Sequence, residues 1–205
     1  MNLSSYAAMA VRLANTAAHA SDEPDPLGSP AACAGALGDC LTGSVTRRDL
    51  DVLRHVRGEF NAMFKAAATG DDQAAMDRLN GLLVQFPIQP EMTCHDGQRW
   101  HVHLASHGSA GDRFAAGAII GVSLMVSGLG VSRLGICAIA SCPQVFIDAS
   151  PGKSRRYCAE HVAARGASGN VSTLRRQPTA LAGSAATDGA AAKDAPPGRA
   201  TPAAS

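Results

Sequence analysis

The sequence predicts a mainly α fold with a small β-hairpin, closed at its C-terminal end by a treble-clef or knuckle-like finger. Three observations predict it. Apolar residues recur at three- and four-residue spacing through residues 46–85, the period of a helix with one buried face. Period-two alternation flanks Asp96-Gly97, a hairpin turn signal. Three of the six cysteines and one of the seven histidines fall in 25 residues as Cys-x4-Cys-x15-Cys-x2-His, from Cys137 to His161. That is a ligand spacing rather than a core pattern.

Taken in order, residues 5–19 read as a first helix, with Tyr6, Met9, Leu13 and Ala17 on one face. Asp22 to Pro30 is a turn-rich loop. Cys33 and Cys40 follow on a short segment. Six residues separate them, which is unusual for a zinc pair, so both read as small core residues. Thr46 with Asp49 forms a capping pattern that opens the clearest helix. Leu50, Leu53, Val56, Phe60 and Phe64 mark its buried stripe, and it runs to about Ala68. Gly70 ends it, Asp71 or Asp72 caps the next, and Met76, Leu79, Leu82 and Leu83 point inward to about Gln85. Two amphipathic helices joined by so short a turn should pack as an antiparallel pair.

At Pro87 the character changes. Residues 88–94 and 99–105 read as two short strands, with Trp100, Val102 and Leu104 on one face and His101 and His103 on the other. Gly111-Asp112 opens a long helix that ends near Gly128–Gly130. Phe114 to Ser132 carries no charge and is long enough to span a bilayer. Its four glycines and its direct run into the cysteine cluster favour a buried helix in a soluble core. Residues 178–205 are almost all Ala, Gly, Pro, Ser and Thr, and the expectation there is a disordered tail.

Aromatic residues make up 4 % of the chain, so the core must be built from Ala, Leu, Val and Ile. The net charge of +1 predicts no global attraction to polyanions, which leaves local asymmetry to decide. The acids concentrate before Asp112. From Lys153 to Arg176 the chain carries six cations (Lys153, Arg155, Arg156, Arg165, Arg175 and Arg176) against one acid, Glu160. The first twenty residues lack a basic region ahead of a compact apolar run, so they read as a helix and not a signal peptide. With the cysteine usage, this leads to the expectation of a reducing, cytoplasmic setting and no membrane partner.

Cys137, Cys142, Cys158 and His161 are the candidate ligands of one structural Zn(2+). Zinc takes four nitrogen or sulfur ligands in a tetrahedron, and two short-spaced pairs on separate turns supply that shape. Pro143 and Pro151-Gly152 mark the turns such loops need. A catalytic zinc would need an open position and a nearby base, and Glu160 is the adjacent candidate without a visible partner. With no nucleophile–base pair and no phosphate loop, the expectation is that the protein is not an enzyme.

These residues carry a family resemblance. Arg133-Leu-Gly-Ile-Cys137, Cys142, Val145-Phe-Ile-Asp148-Ala-Ser150 and Ser154-Arg-Arg-Tyr-Cys158 resemble the CGNR zinc finger. Leu13-Ala-Asn15-Thr16, Leu53-Arg-His-Val-Arg-Gly58 and Trp100-His-Val-His103 resemble the helical ABATE domain that accompanies it in bacterial stress-induced transcription regulators. The resemblance covers roughly residues 8–176. It implies a helical domain over 1–132 with its hairpin near 88–105, and a zinc finger over 133–177. It also departs from the family. The final Cys-Gly-Asn-Arg is absent, and Val162-Ala163-Ala164-Arg165 keeps only the arginine. His161 is the chemically suitable substitute for the lost cysteine. If its ring turned to solvent, the site would be broken or carry a water.

The resemblance implies DNA as partner, with Lys153, Arg155, Arg156, Arg165, Arg175 and Arg176 as its contacts. The alternative is a zinc-stabilised module that binds an acidic protein. The arginines could also brace the knuckle through Asp148 and Glu160, and Asp148 with Ser150 could hold the loop by bonding backbone amides. The N-terminal domain would sense a small effector or form a homodimer. Asn15, Trp100, His101 and His103 are the candidate pocket residues, although Asn15-Thr16 also reads as a buried hydrogen bond or helix end. Cys94, His95, His101, His103 and His107 lie within fourteen residues. They suit a second metal site, a ligand pocket beside Trp100, or a partly exposed strand face.

Overall fold

The computed structural model describes residues 3–17, 23–94, 100–105 and 108–164; the side chains of 3, 4, 91, 93 and 101–105 fall outside that description. In chain order it contains α1 (Leu3–Asn15), α2 (Pro30–Leu37), α3 (Arg47–Ala68), α4 (Asp72–Gln85), β1 (Gln89–Thr93), β2 (His101–Ala105), α5 (Ala110–Leu129), β3 (Leu134–Ile136) and β4 (Val145–Ile147). A last helix, α6, occupies 159–164. Each strand pair is antiparallel, β1 with β2 and β3 with β4. The expected tail at 178–205 lies outside the described residues.

The helical core follows the predicted stripes. Leu53, Val56, Phe60 and Phe64 on α3 are fully buried. Leu79 and Leu82 on α4 are buried, while Met76 and Leu83 are half-covered. Met9 and Leu13 on α1 are buried, but Ala17 lies beyond the helix end and is exposed. Cys33 is fully buried, as a small core residue should be, and Cys40 is half-covered. The loop before α2 is less passive than its prolines suggest. Leu27 plugs the core, Asp25 pairs with Arg57 at 2.7 and 2.8 Å, and Arg54 donates to the Leu27 carbonyl at 2.6 Å.

Two helix starts are welded together by one buried carboxylate. Thr46 and Asp49 form the capping box of α3. Asp49 Oδ2 accepts from Thr46 N at 2.7 Å and Thr46 Oγ1 at 2.6 Å, while Oδ1 accepts from Gly111 N of α5 at 2.8 Å. A side chain at Gly111 would collide with Asp49. Burial alone would raise the Asp49 pKa. The bonds from Ser109, Thr46 and Gly111 outweigh it and hold the pKa at about 2. An unfolded aspartate titrates near 3.9, so the folded value is depressed. The stabilisation is therefore complete above about pH 4 and is lost as pH falls towards 2, a contribution of roughly 2 kcal/mol. Asp49→Asn should lower stability at neutral pH and flatten the wild-type loss between pH 4 and 2. Urea unfolding across that range checks it, and parallel pH profiles for the two proteins would contradict it.

α5 is long and apolar enough to cross a membrane by length and composition. In the fold it is the central helix of the bundle. Phe114, Ala115, Ala118, Ile119 and Val122 are buried in the core. Its N-cap is Ser109, in a capping box with Asp112. Gly117 and Gly121 let α1 lie directly on it, because a side chain at Gly121 would occupy the Tyr6–Ala7 backbone.

The finger is not a separate bead on this bundle. Leu134, Val145 and Ile147 belong to the same buried cluster as the helices. The joint at α1 is Asn15. Its Oδ1 accepts from Val145 N at 2.7 Å and its Nδ2 donates to Val145 O at 3.1 Å. A side-chain amide thus does for β4 what a neighbouring strand would do. The core crosses the expected boundary between residues 132 and 133.

A three-cysteine, one-histidine metal centre

β3 and β4 form a hairpin whose connection carries the first ligand pair. Cys137 follows β3, and its amide bonds the Gln144 carbonyl at 2.8 Å. Cys142 sits in the turn before β4, its amide bonded to the Ile139 carbonyl at 2.9 Å. The second pair sits at the start of α6. Val162 N donates to Cys158 O at 3.0 Å, the first helical bond. Cys158 and His161 are three apart on that turn and so share a face.

The four ligand atoms lie within 4.8 Å of one another. Cys142 Sγ is 3.9 Å from Cys158 Sγ. His161 Nδ1 is 3.2 Å from Cys158 Sγ and 3.5 Å from Cys137 Sγ. Tetrahedral zinc, with sulfur at about 2.3 Å and nitrogen at about 2.0 Å, places its ligand atoms on the order of 3.5–3.8 Å apart. The residues fit. His161 turns into the cluster and supplies its fourth ligand atom.

The electrostatics agree. Burial raises the Cys137 thiol, but amides of Cys158 and Ile139 and the neighbouring thiols outweigh it and bring it down to about 7. Burial raises Cys142 and the thiols beside it add to the rise, to about 11, against the Gln144 amide. Three thiols this close cannot all ionise without a cation between them. A zinc ion there supplies that charge and a closed tetrahedral cross-link, and Cys137, Cys142, Cys158 and His161 hold it.

A brace surrounds the centre. Asp148 is buried; its Oδ1 accepts from Ser150 N at 2.8 Å and its Oδ2 from Arg155 N at 3.0 Å. Burial opposes its charge, yet those bonds and the nearby Arg133 hold its pKa below the usual carboxylate range. Asp148 and Ser150 therefore brace the loop through backbone amides, as the sequence suggests. Arg133 completes the brace by donating to the carbonyls of Asp148 and Ser150. That role was not visible in the sequence, where Arg133 is only the first residue of the motif. Gly135 pairs with Phe146 across the hairpin, and the Phe146 ring lies over the space a side chain would fill.

The predicted DNA-contacting cations divide. Lys153 and Arg156 are exposed, and no described residue pairs with either side chain. Arg155 departs from the expectation of a free cation. It is half-buried, stacks 5.1 Å from the Phe146 ring centre, and donates from Nε to the Tyr157 carbonyl at 3.0 Å. Arg165, Arg175 and Arg176 lie outside the described residues.

Of the expected pocket residues Asn15, Trp100, His101 and His103, only Asn15 and Trp100 have described side chains. Asn15 spends its amide on Val145. Trp100 is 70 % exposed. The side chains of Val102, Leu104, His101 and His103, with all of His95 and His107, lie outside the described residues. Cys94 is exposed and makes no disulfide.

Fold and centre together define a zinc-finger protein whose finger is built onto a mainly helical domain by a shared core. The chain belongs to the ABATE family, described as "Putative stress-induced transcription regulator", whose model matches residues 7–128. Its C-terminal part matches the CGNR zinc finger over residues 133–167. No curated protein matches the chain.

Proposed function

We propose that the protein is a transcription regulator whose finger grips DNA through its phosphates. One observation carries the reading. A groove of about 410 Å³ runs between the C-terminal end of α3 and the finger, and its charged lining is Arg133, Lys153, Arg155 and Arg156 against Asp148. Asp148 is buried and committed to the brace, so the exposed charge of the groove is positive. Lys153 and Arg156 line it, exposed and without a side-chain partner among the described residues, which suits phosphate contacts that position rather than specify. A loop of this kind needs a rigid base, and the zinc centre with the Asp148 brace provides one. The regulator assignment of the family points the same way.

The zinc in this reading is structural. Four protein ligands leave no position for water or substrate, and no turnover is proposed.

Binding of fluorescent duplex DNA measured against salt tests the proposal. The affinity should fall steeply, with a slope of about −0.9 per phosphate contacted. Lys153→Ala and Arg156→Ala should each weaken binding to every sequence and reduce the slope by about one. A slope unchanged in both variants would contradict the assignment. No binding to any duplex at low salt would favour the other reading, a zinc-stabilised surface for an acidic protein.

A further inference from the structure

We propose that the seam between α1, α5 and β4 binds a small amphipathic anion, an aliphatic or aromatic carboxylate, and that its occupation weakens the finger's hold on DNA. The seam contains a cavity of about 270 Å³. At ~30 Å³ per water-sized volume, that is room for on the order of ten heavy atoms. Its walls are apolar: Ala8 and Val11 from α1, Met125 from α5 and Ile147 from β4. Two arginines complete the lining, Arg12 and Arg155, and no acid does.

Neither guanidinium is neutralised by a described carboxylate. Arg155 carries five N–H donors. Its described bonds go to the carbonyls of Tyr157, at 3.0 Å, and Ile147, at 3.5 Å. Both partners are neutral, so no ion pair with a described residue compensates its charge. Arg12 is exposed on α1, with its guanidinium beside Gly38 at the end of α2 and no described hydrogen-bond partner. An apolar cleft flanked by two cations without a described carboxylate partner selects a ligand with a hydrocarbon body and a carboxylate head. A neutral body would leave the cations unmet, and a cationic one would be repelled.

The regulatory half follows from one side chain. Arg155 lines this cavity and also lines the basic groove. An anion paired with Arg155 cancels one of the four positive charges that face the groove. A ligand here therefore has different interactions with the DNA-bound and DNA-free protein, as coupling between two sites requires. This half rests on the DNA reading above, whereas the binding site itself does not.

Calorimetry on the full zinc-loaded chain tests the site, with octanoate, octan-1-ol and octylamine as probes. Octanoate should bind saturably, and the alcohol and amine about ten-fold more weakly or not at all. Ala8→Trp, which fills the cleft from an exposed helix position, should abolish binding. Arg12→Gln should weaken octanoate about ten-fold and leave octanol unchanged. No octanoate binding at millimolar concentration, equal binding by Ala8→Trp, or equal binding of the alcohol would each overturn the site. In DNA titrations octanoate should lower the affinity of the wild type and not that of Ala8→Trp. Bound octanoate with unchanged DNA affinity would overturn the coupling. A chain that binds octanoate but no DNA would sink the DNA reading, and the coupling with it, while upholding the site.

Discussion

Cys142→Ser should lose zinc and open the β3–β4 hairpin. In small zinc modules the binding free energy of the metal, about 10 kcal/mol or more, is folding free energy. The finger has little else of its own, since β3 and β4 are three residues each. Amide exchange is the direct readout. The amides of Cys137 and Ala138, bonded to the Gln144 and Arg156 carbonyls, should lose protection. Those in the middle of α3 and α4 should keep theirs. The damage should still reach the helical domain, because Leu134, Val145 and Ile147 are part of its core. A fall in melting temperature of the whole chain is expected together with the local opening. Retained zinc and unchanged exchange in the hairpin would contradict the ligand assignment.

Gly121→Val should be the most damaging single substitution in the bundle. The new side chain would occupy the backbone of Tyr6 and Ala7 and come within 2.7 Å of the Tyr6 Cβ. Backbone cannot swing aside as a flexible side chain can. α1 and α5 must separate, and the contacts of Met9, Leu13, Ile119 and Val122 are lost with them. Overpacking usually costs about 1–3 kcal/mol, and this site belongs at or above the top of that range. Gly128→Ala is the control on the same helix. Nothing stands within 4 Å of a side chain there, so the gain in helix propensity should show as up to about 1 kcal/mol of added stability. Denaturant unfolding of the two variants decides it, and similar midpoints would mean the helices do not meet as closely as described.

The helices and the ligand set were legible for local reasons. A capping box at Thr46–Asp49 and a stripe from Leu50 to Phe64 are facts of spacing, and the fold keeps both. The metal spacing named its four residues, and the structure brings all four together. What spacing could not give is what lies far apart in the chain. Asn15 and Val145 are 130 residues apart, and nothing local says that an amide on α1 will serve as a strand for β4. The same distance hid the cleft that joins Ala8, Met125 and Arg155. Trp100 was illegible for another reason. Alternation shows that a strand has two faces, not which face is covered, and here the large aromatic ring is 70 % exposed. Arg155 was visible as a cation, but its carbonyl bonds and its place over Phe146 depend on how the loop returns past Asp148.

The account turns on His161 completing the centre. X-ray absorption at the zinc edge, with metal content measured on the same full-length sample, tests that most directly. It should find one zinc per chain with three sulfur ligands at about 2.3 Å and one imidazole nitrogen at about 2.0 Å. A metal-free folded finger, four sulfur ligands, or a water oxygen in the fourth position would contradict it.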